Sequence, residues 1–99
     1  MTNWYNQDIE ALFEAIVALR SREECFAFFS DLCTVTELQA ISQRLHVARL
    51  LREGASYSEI TAKTGVSAAT ISRVSRCLEY GEGGYDLVLS RLSGEAETK

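Results

Sequence analysis

Proline is absent from the 99 residues, and with it the residue that most often breaks a helix from within. Sustained alternation of apolar and polar residues is absent too, which argues against strands. No apolar run approaches the ~20 residues needed to span a bilayer. The opening MTNWYNQDIE has no basic region leading into an apolar stretch, so no signal peptide is expected. Repeats are missing, and low complexity is confined to GEGG at 81–84. Cys25, Cys33 and Cys77 form no CxxC pair. With apolar neighbours around Cys25 and Cys33, the expectation is small buried thiols in a reducing cytoplasm, a redox sensor being the other reading. His46 is the single histidine and has no carboxylate or thiol at ligand spacing, so a surface or interface place is expected and no metal. Without a glycine-rich phosphate loop, nucleophile elbow or acid–base pair, neither an enzyme nor a bound cofactor is expected.

What is present is a short, apolar chain. Ninety-nine residues suit one domain with a thin core, yet 46% of them are hydrophobic. That combination suggests apolar surface buried between subunits, and hence a homodimer. The net charge of −4 is unevenly spread. Residues 1–43 carry Arg20 and Arg22 against seven acids, whereas residues 44–79 carry six basic residues against Glu53, Glu59 and Glu79. Any grip on a polyanion is therefore local to the middle of the chain.

The punctuation is that of short helices. Ile9, Leu12, Phe13 and Ile16 form one stripe at helical spacing. SREE at 21–24 has the capping-box form, Ser21 as N-cap and Glu24 reaching back, and opens an aromatic helix with Phe26, Phe28 and Phe29 as core or dimer-interface rings. TVTE at 34–37 repeats the form ahead of a long helix over about 35–53, stopped at Gly54. Leu38, Ile41, Leu45 and Ala48 line one side of it and Val47, Leu50 and Leu51 another, so it is expected at the centre, packed around most of its circumference. A third box, SYSE at 56–59, opens a helix that ends by Gly65. Ser67 is placed to cap a helix over about 68–80, and YDLVLSRL at 85–92 forms the last. The expected organisation is a single all-α domain over 1–99 with six helices. Residues 1–54 supply dimerisation helices, 57–80 a helix-turn-helix, 85–92 a C-terminal helix and 93–99 a frayed tail.

The helix-turn-helix carries the functional reading. Gly65 supplies the turn, while Ile60, Val66, Ile71, Val74 and Leu78 are spaced to pack the two helices together. Thr61 occupies the crossing position four residues before the glycine, where Ala is more usual. On the second helix Ala69, Ser72, Arg73 and Arg76 form the opposite face, small at its start and cationic further along. Such a face lets a helix lie deep in the major groove of double-stranded DNA, with hydroxyls and methyls meeting base edges. The candidate DNA-contacting residues are Ser58, Lys63, Ser67, Ala68, Ala69, Thr70, Ser72, Arg73 and Arg76, with Tyr57 a weaker addition. No acid interrupts the stretch between Glu59 and Glu79. Use of the same surface to bind a protein is the alternative.

LCTVTELQAISQRL and LLREGASYSEITAKTGVSAATISRVSRCL resemble the Trp repressor superfamily, specifically its YerC/YecD-type branch, over roughly residues 30–92. The resemblance implies an all-α, intertwined homodimer acting as a transcriptional regulator, with its two helix-turn-helix units addressing successive major grooves. It also implies a corepressor pocket in which Arg44 and Arg73 hold the ligand and Thr34 lines the wall. Val74 stands where the family has Gly, and Cys77 where it has Ser. A branched side chain intrudes on an indole-sized space and a thiol is a weaker polar partner, so tryptophan is not the expected ligand. The identity of any small effector stays open. Arg44 and Arg73 alternatively pair with neighbouring acids, or Arg73 contacts phosphate directly.

Overall fold

The computed structural model describes residues 3–94, and there the chain forms six helices and no strand. They are α1 (Gln7–Val17), α2 (Arg22–Leu32), α3 (Val35–Arg52), α4 (Tyr57–Thr64), α5 (Ala68–Tyr80) and α6 (Gly84–Leu92). The all-α expectation holds. Within the tail expected at 93–99, Ser93 caps α6 and Gly94 is in the left-handed region, while residues 95–99 lie outside the described residues.

Side-chain caps start five of the helices. Asn6 Oδ1 accepts the Ile9 amide at 2.9 Å and opens α1, a cap the sequence pattern did not single out. Two boxes close in full. Thr34 Oγ1 accepts the Glu37 amide at 3.0 Å while Glu37 accepts the Thr34 amide at 2.8 Å. Ser56 and Glu59 exchange the equivalent bonds at 3.1 and 2.7 Å. The box expected at 21–24 is half right. Ser21 Oγ accepts the Glu24 amide, but Glu24 Oε1 reaches one residue further back and takes the Arg20 amide at 2.8 Å.

By internal contacts the chain divides into two compact units, Met1–Leu38 and Gln39–Lys99. In the first, Tyr5 tilts against Trp4 and Phe13, and Phe28 meets Phe29 edge to face at 5.4 Å. Among the described residues α1 and α2 bury no side chain completely. Ile9, Leu12 and Ile16 are half-buried, Phe13 is exposed, Phe26 is 77% exposed and Val17 82%.

The second unit holds the core: Val47, Ala48 and Leu50 of α3, Ile60 of α4, Val66 of the turn, Ile71 and Val74 of α5, and Leu89 of α6. Complete burial of Ile60 and Ile71 contributes about 1.5–3 kcal/mol each. The expected central place of α3 therefore holds only for its C-terminal half, since Ile41 is exposed and Leu38 half-buried. The end of α3 is closed by Gly54 at φ 91°, with the Gly54 amide donating to Leu51 and the Ala55 amide to Leu50, both at 3.0 Å. This paired pattern satisfies two carbonyls of the last turn and redirects the chain into α4. At the end of α5 the room is tight instead. A Cβ on Gly81 would meet the carbonyl oxygen of Cys77, so no larger residue fits without moving the helix end. The expected burial of the thiols fails in this chain. Cys25 and Cys77 lie on outward faces of their helices and are exposed, and Cys33, at the end of α2, is half-buried. No helix among the described residues is long and apolar enough to cross a membrane.

Candidate nucleic-acid interface

Helix α4 ends where Gly65 turns to φ 76°, ψ 2°, its amide donating to the Thr61 carbonyl at 2.8 Å. Two residues later Ser67 caps α5, so three residues separate the helices. Ile60, Val66, Ile71 and Val74 are buried as their spacing predicts, and Leu78 is half-buried. Thr61, at the position where Ala is more usual, is exposed rather than enclosed between the helices.

The outer side of α5 presents Ala68, Ala69, Ser72, Arg73 and Arg76 to solvent. Thr70 is half-buried, and its hydroxyl is engaged by Ser67. Ser67 Oγ accepts the Thr70 amide and donates to Thr70 Oγ1, both at 3.2 Å. Ser67 and Thr70 thus build the start of the helix, while the Ser72 hydroxyl is exposed and has no partner among the described residues. Arg73 and Arg76 make no ion pair or hydrogen bond with the described residues, so none of these neutralises either guanidinium.

On α4, Tyr57 and Ser58 are exposed in the first turn. Lys63 is exposed as well, and it borders a surface cleft of about 530 Å³ with Leu50, Ala55, Ala62 and the acids Glu53 and Glu59.

The residues of the inferred corepressor set differ in exposure. Arg44 is half-buried on α3 without an ionic partner among the described residues, and Arg73 and Cys77 are exposed on α5. Val74 is 1% exposed and packs in the core with Ile71, so its methyls face inward. Thr34 belongs to the first unit, where it caps α3. His46 is exposed. Among the described residues no three His, Cys, Asp or Glu side chains gather as a metal site.

Two features beyond the Asn6 cap escaped the sequence pattern. Arg52 bridges to α6, and Thr64 spans the turn through its hydroxyl. Thr64 had a legible signal: a hydroxyl at the last helical position is able to bond the carbonyl four residues back.

Two helices joined through a left-handed glycine, packed on a common core and presenting an unpaired cationic outer face, define a helix-turn-helix protein. The chain belongs to the Trp repressor family, whose sequence model, described as Trp repressor protein, matches residues 7–93. It is 50% identical over 93 residues to YerC of Bacillus subtilis (strain 168), a protein itself uncharacterized; the match spans 94% of this chain and 88% of YerC. A candidate Trp repressor from Staphylococcus aureus has a solved structure that superimposes with a TM-score of 0.87 at 45% identity, covering 95% of this chain and 94% of that one. A TrpR-like protein from Eubacterium eligens ATCC 27750 superimposes at 0.86 and 48% identity, covering 93% and 95%.

Proposed function

We propose that the chain is a non-enzymatic transcriptional regulator, acting in the cytoplasm as a homodimer that binds double-stranded DNA with α5 in the major groove. The observation that carries this reading is the outer face of α5, where Ala69, Ser72, Arg73 and Arg76 lie exposed and both arginines are unpaired among the described residues. Small residues at the start of α5 let backbone and hydroxyls approach base edges, and the arginines further along meet phosphate. The start of the helix adds unpaired amides and partial positive charge toward a phosphate. Phe26, Val17 and the rest of the uncovered apolar side chains in α1 and α2 support dimerisation, because short helices in water are held by burial of an apolar face. Two copies related by a two-fold axis would address successive major grooves about 34–36 Å apart. Repression is the expected sense of regulation. Arg44 and Arg73 are available to a small acidic effector, with tryptophan disfavoured.

The test is selection of bound fragments from a genomic library at moderate salt. Enrichment of a two-fold-related site is expected, and a library recovered without one would sink the reading. The chain's net charge of −4 favours one alternative, the helix-turn-helix as a docking surface for a protein. That alternative predicts a stoichiometric protein partner lost on Arg73→Glu, together with no retention on DNA.

A further inference from the structure

We propose that Thr64 is a positioning residue for the recognition helix, its hydroxyl setting the angle between α4 and α5. This rests on the reading of α5 as the groove-entering helix. Thr64 Oγ1 donates to the carbonyl of Ile60 at 2.7 Å and accepts the amide of Val66 at 3.2 Å. One oxygen thus links the last turn of α4 to the residue beyond the glycine, and it is partly buried while doing so. Ile60 is fully buried and Val66 nearly so, so the hydroxyl bridges the backbones of two residues whose side chains are locked in the core.

The turn needs this bridge. Gly65 sits at φ 76°, in the left-handed region, with nothing within 4 Å of the space a Cβ would occupy. Its amide is held by the Thr61 carbonyl, and the next amide, that of Val66, goes to Thr64 Oγ1. Removing the hydroxyl leaves a poorly hydrated amide without its acceptor, and the chain must rotate near Gly65 to reach another or water. Any rotation there swings α5 about its N-terminal end. Arg73 and Arg76, in the second and third turns, move further than the residues at the helix start, while base contacts demand placement to a fraction of an ångström.

Thr64→Val keeps the β-branched shape and removes only the hydroxyl, and Thr64→Ser keeps the hydroxyl and removes only the methyl. Circular dichroism checks that both variants stay helical. For Val, affinity for the selected operator is expected to fall about tenfold, with affinity for unrelated DNA unchanged, because the cationic face persists but no longer fits its site. Ser restores the operator affinity. A Val variant with the wild-type ratio of operator to unrelated affinity overturns the proposal, and so does a Ser variant that behaves like Val. A readout free of DNA separates this idea from the DNA-binding reading. In NMR hydrogen exchange the Val66 amide is expected to be protected in wild type and in Thr64→Ser, and to lose that protection in Thr64→Val. An unprotected Val66 amide in the wild-type protein refutes the bridge whether or not the chain binds DNA, and whether or not the Val variant folds.

Discussion

The guanidinium of Arg52, in the last turn of α3, lies against the carboxylate of Asp86, in the first turn of α6, with Nε to Oδ1 at 3.2 Å. Its Nη2 also donates to Ser90 Oγ at 3.3 Å, so one side chain holds two turns of α6. Leu89 lies between those turns and is buried in the core, so the polar clamp and the apolar anchor fix α6 together.

The two contributions are unequal. The ion-pair side chains are 28% and 56% exposed, which leaves water to screen the attraction. Asp86→Asn is therefore expected to cost about 0.5 kcal/mol, less in molar salt, against about 3 kcal/mol for Leu89→Ala. Urea denaturation at low and high salt checks both values. A salt-independent loss of several kcal/mol in the Asn variant would show that the clamp, not Leu89, holds the helix.

Arg76 is exposed, cationic and unpaired among the described residues, at the far end of the proposed contact face. Arg76→Ala is expected to weaken binding to all DNA sequences alike and to reduce the dependence of log affinity on log salt by about one. Titrations across a range of salt measure this. A changed sequence preference with an unchanged slope would move Arg76 from phosphate to base.

Val74 stands where the resemblance places Gly beside a corepressor, yet its side chain packs in the core. Its side chain is 1% exposed, which gives that substitution a second meaning. Val74→Gly removes core packing and places Gly inside a helix, and it is expected to lower stability by about 3 kcal/mol. Calorimetry with tryptophan is expected to give no binding heat for wild type, and none for the glycine variant at temperatures where it remains folded. Binding by wild type would overturn the expectation that tryptophan is not the ligand.

The uncovered side chains of α1 and α2 predict the assembly. Sedimentation velocity at micromolar concentration is expected to find a two-chain species for wild type. Phe26→Asp and Val17→Asp place a charge on that apolar surface and are expected to give monomers, or to unfold, with loss of the two-fold DNA site. A monomeric wild-type protein that still selects a two-fold-related operator would contradict the dimer.

Much of this was legible in local chemistry. Ser21, Thr34, Ser56 and Ser67 each precede a helix and cap it, and Gly54 and Gly65 each end one at positive φ, because capping and left-handed turns depend on a few consecutive residues. The helical spacing of Ile71 and Val74 likewise set the inner face of α5 against the outer face bearing Ala69, Ser72, Arg73 and Arg76.

What one stretch of chain cannot encode is who its distant neighbours are. The apolar residues along α3 look alike in the sequence, yet Val47 and Ala48 are fully enclosed while Ile41 is exposed, because α4, α5 and α6 contribute to one core with the C-terminal half alone. The thiols expected to be buried proved exposed or half-buried for the same reason, and Arg52 found Asp86 across 34 residues. Local sequence determined where each helix starts, stops and turns, since those choices close over three or four residues. The tertiary structure decided which apolar faces find cover and which carboxylate Arg52 meets, since burial and that pairing depend on residues far apart in the chain.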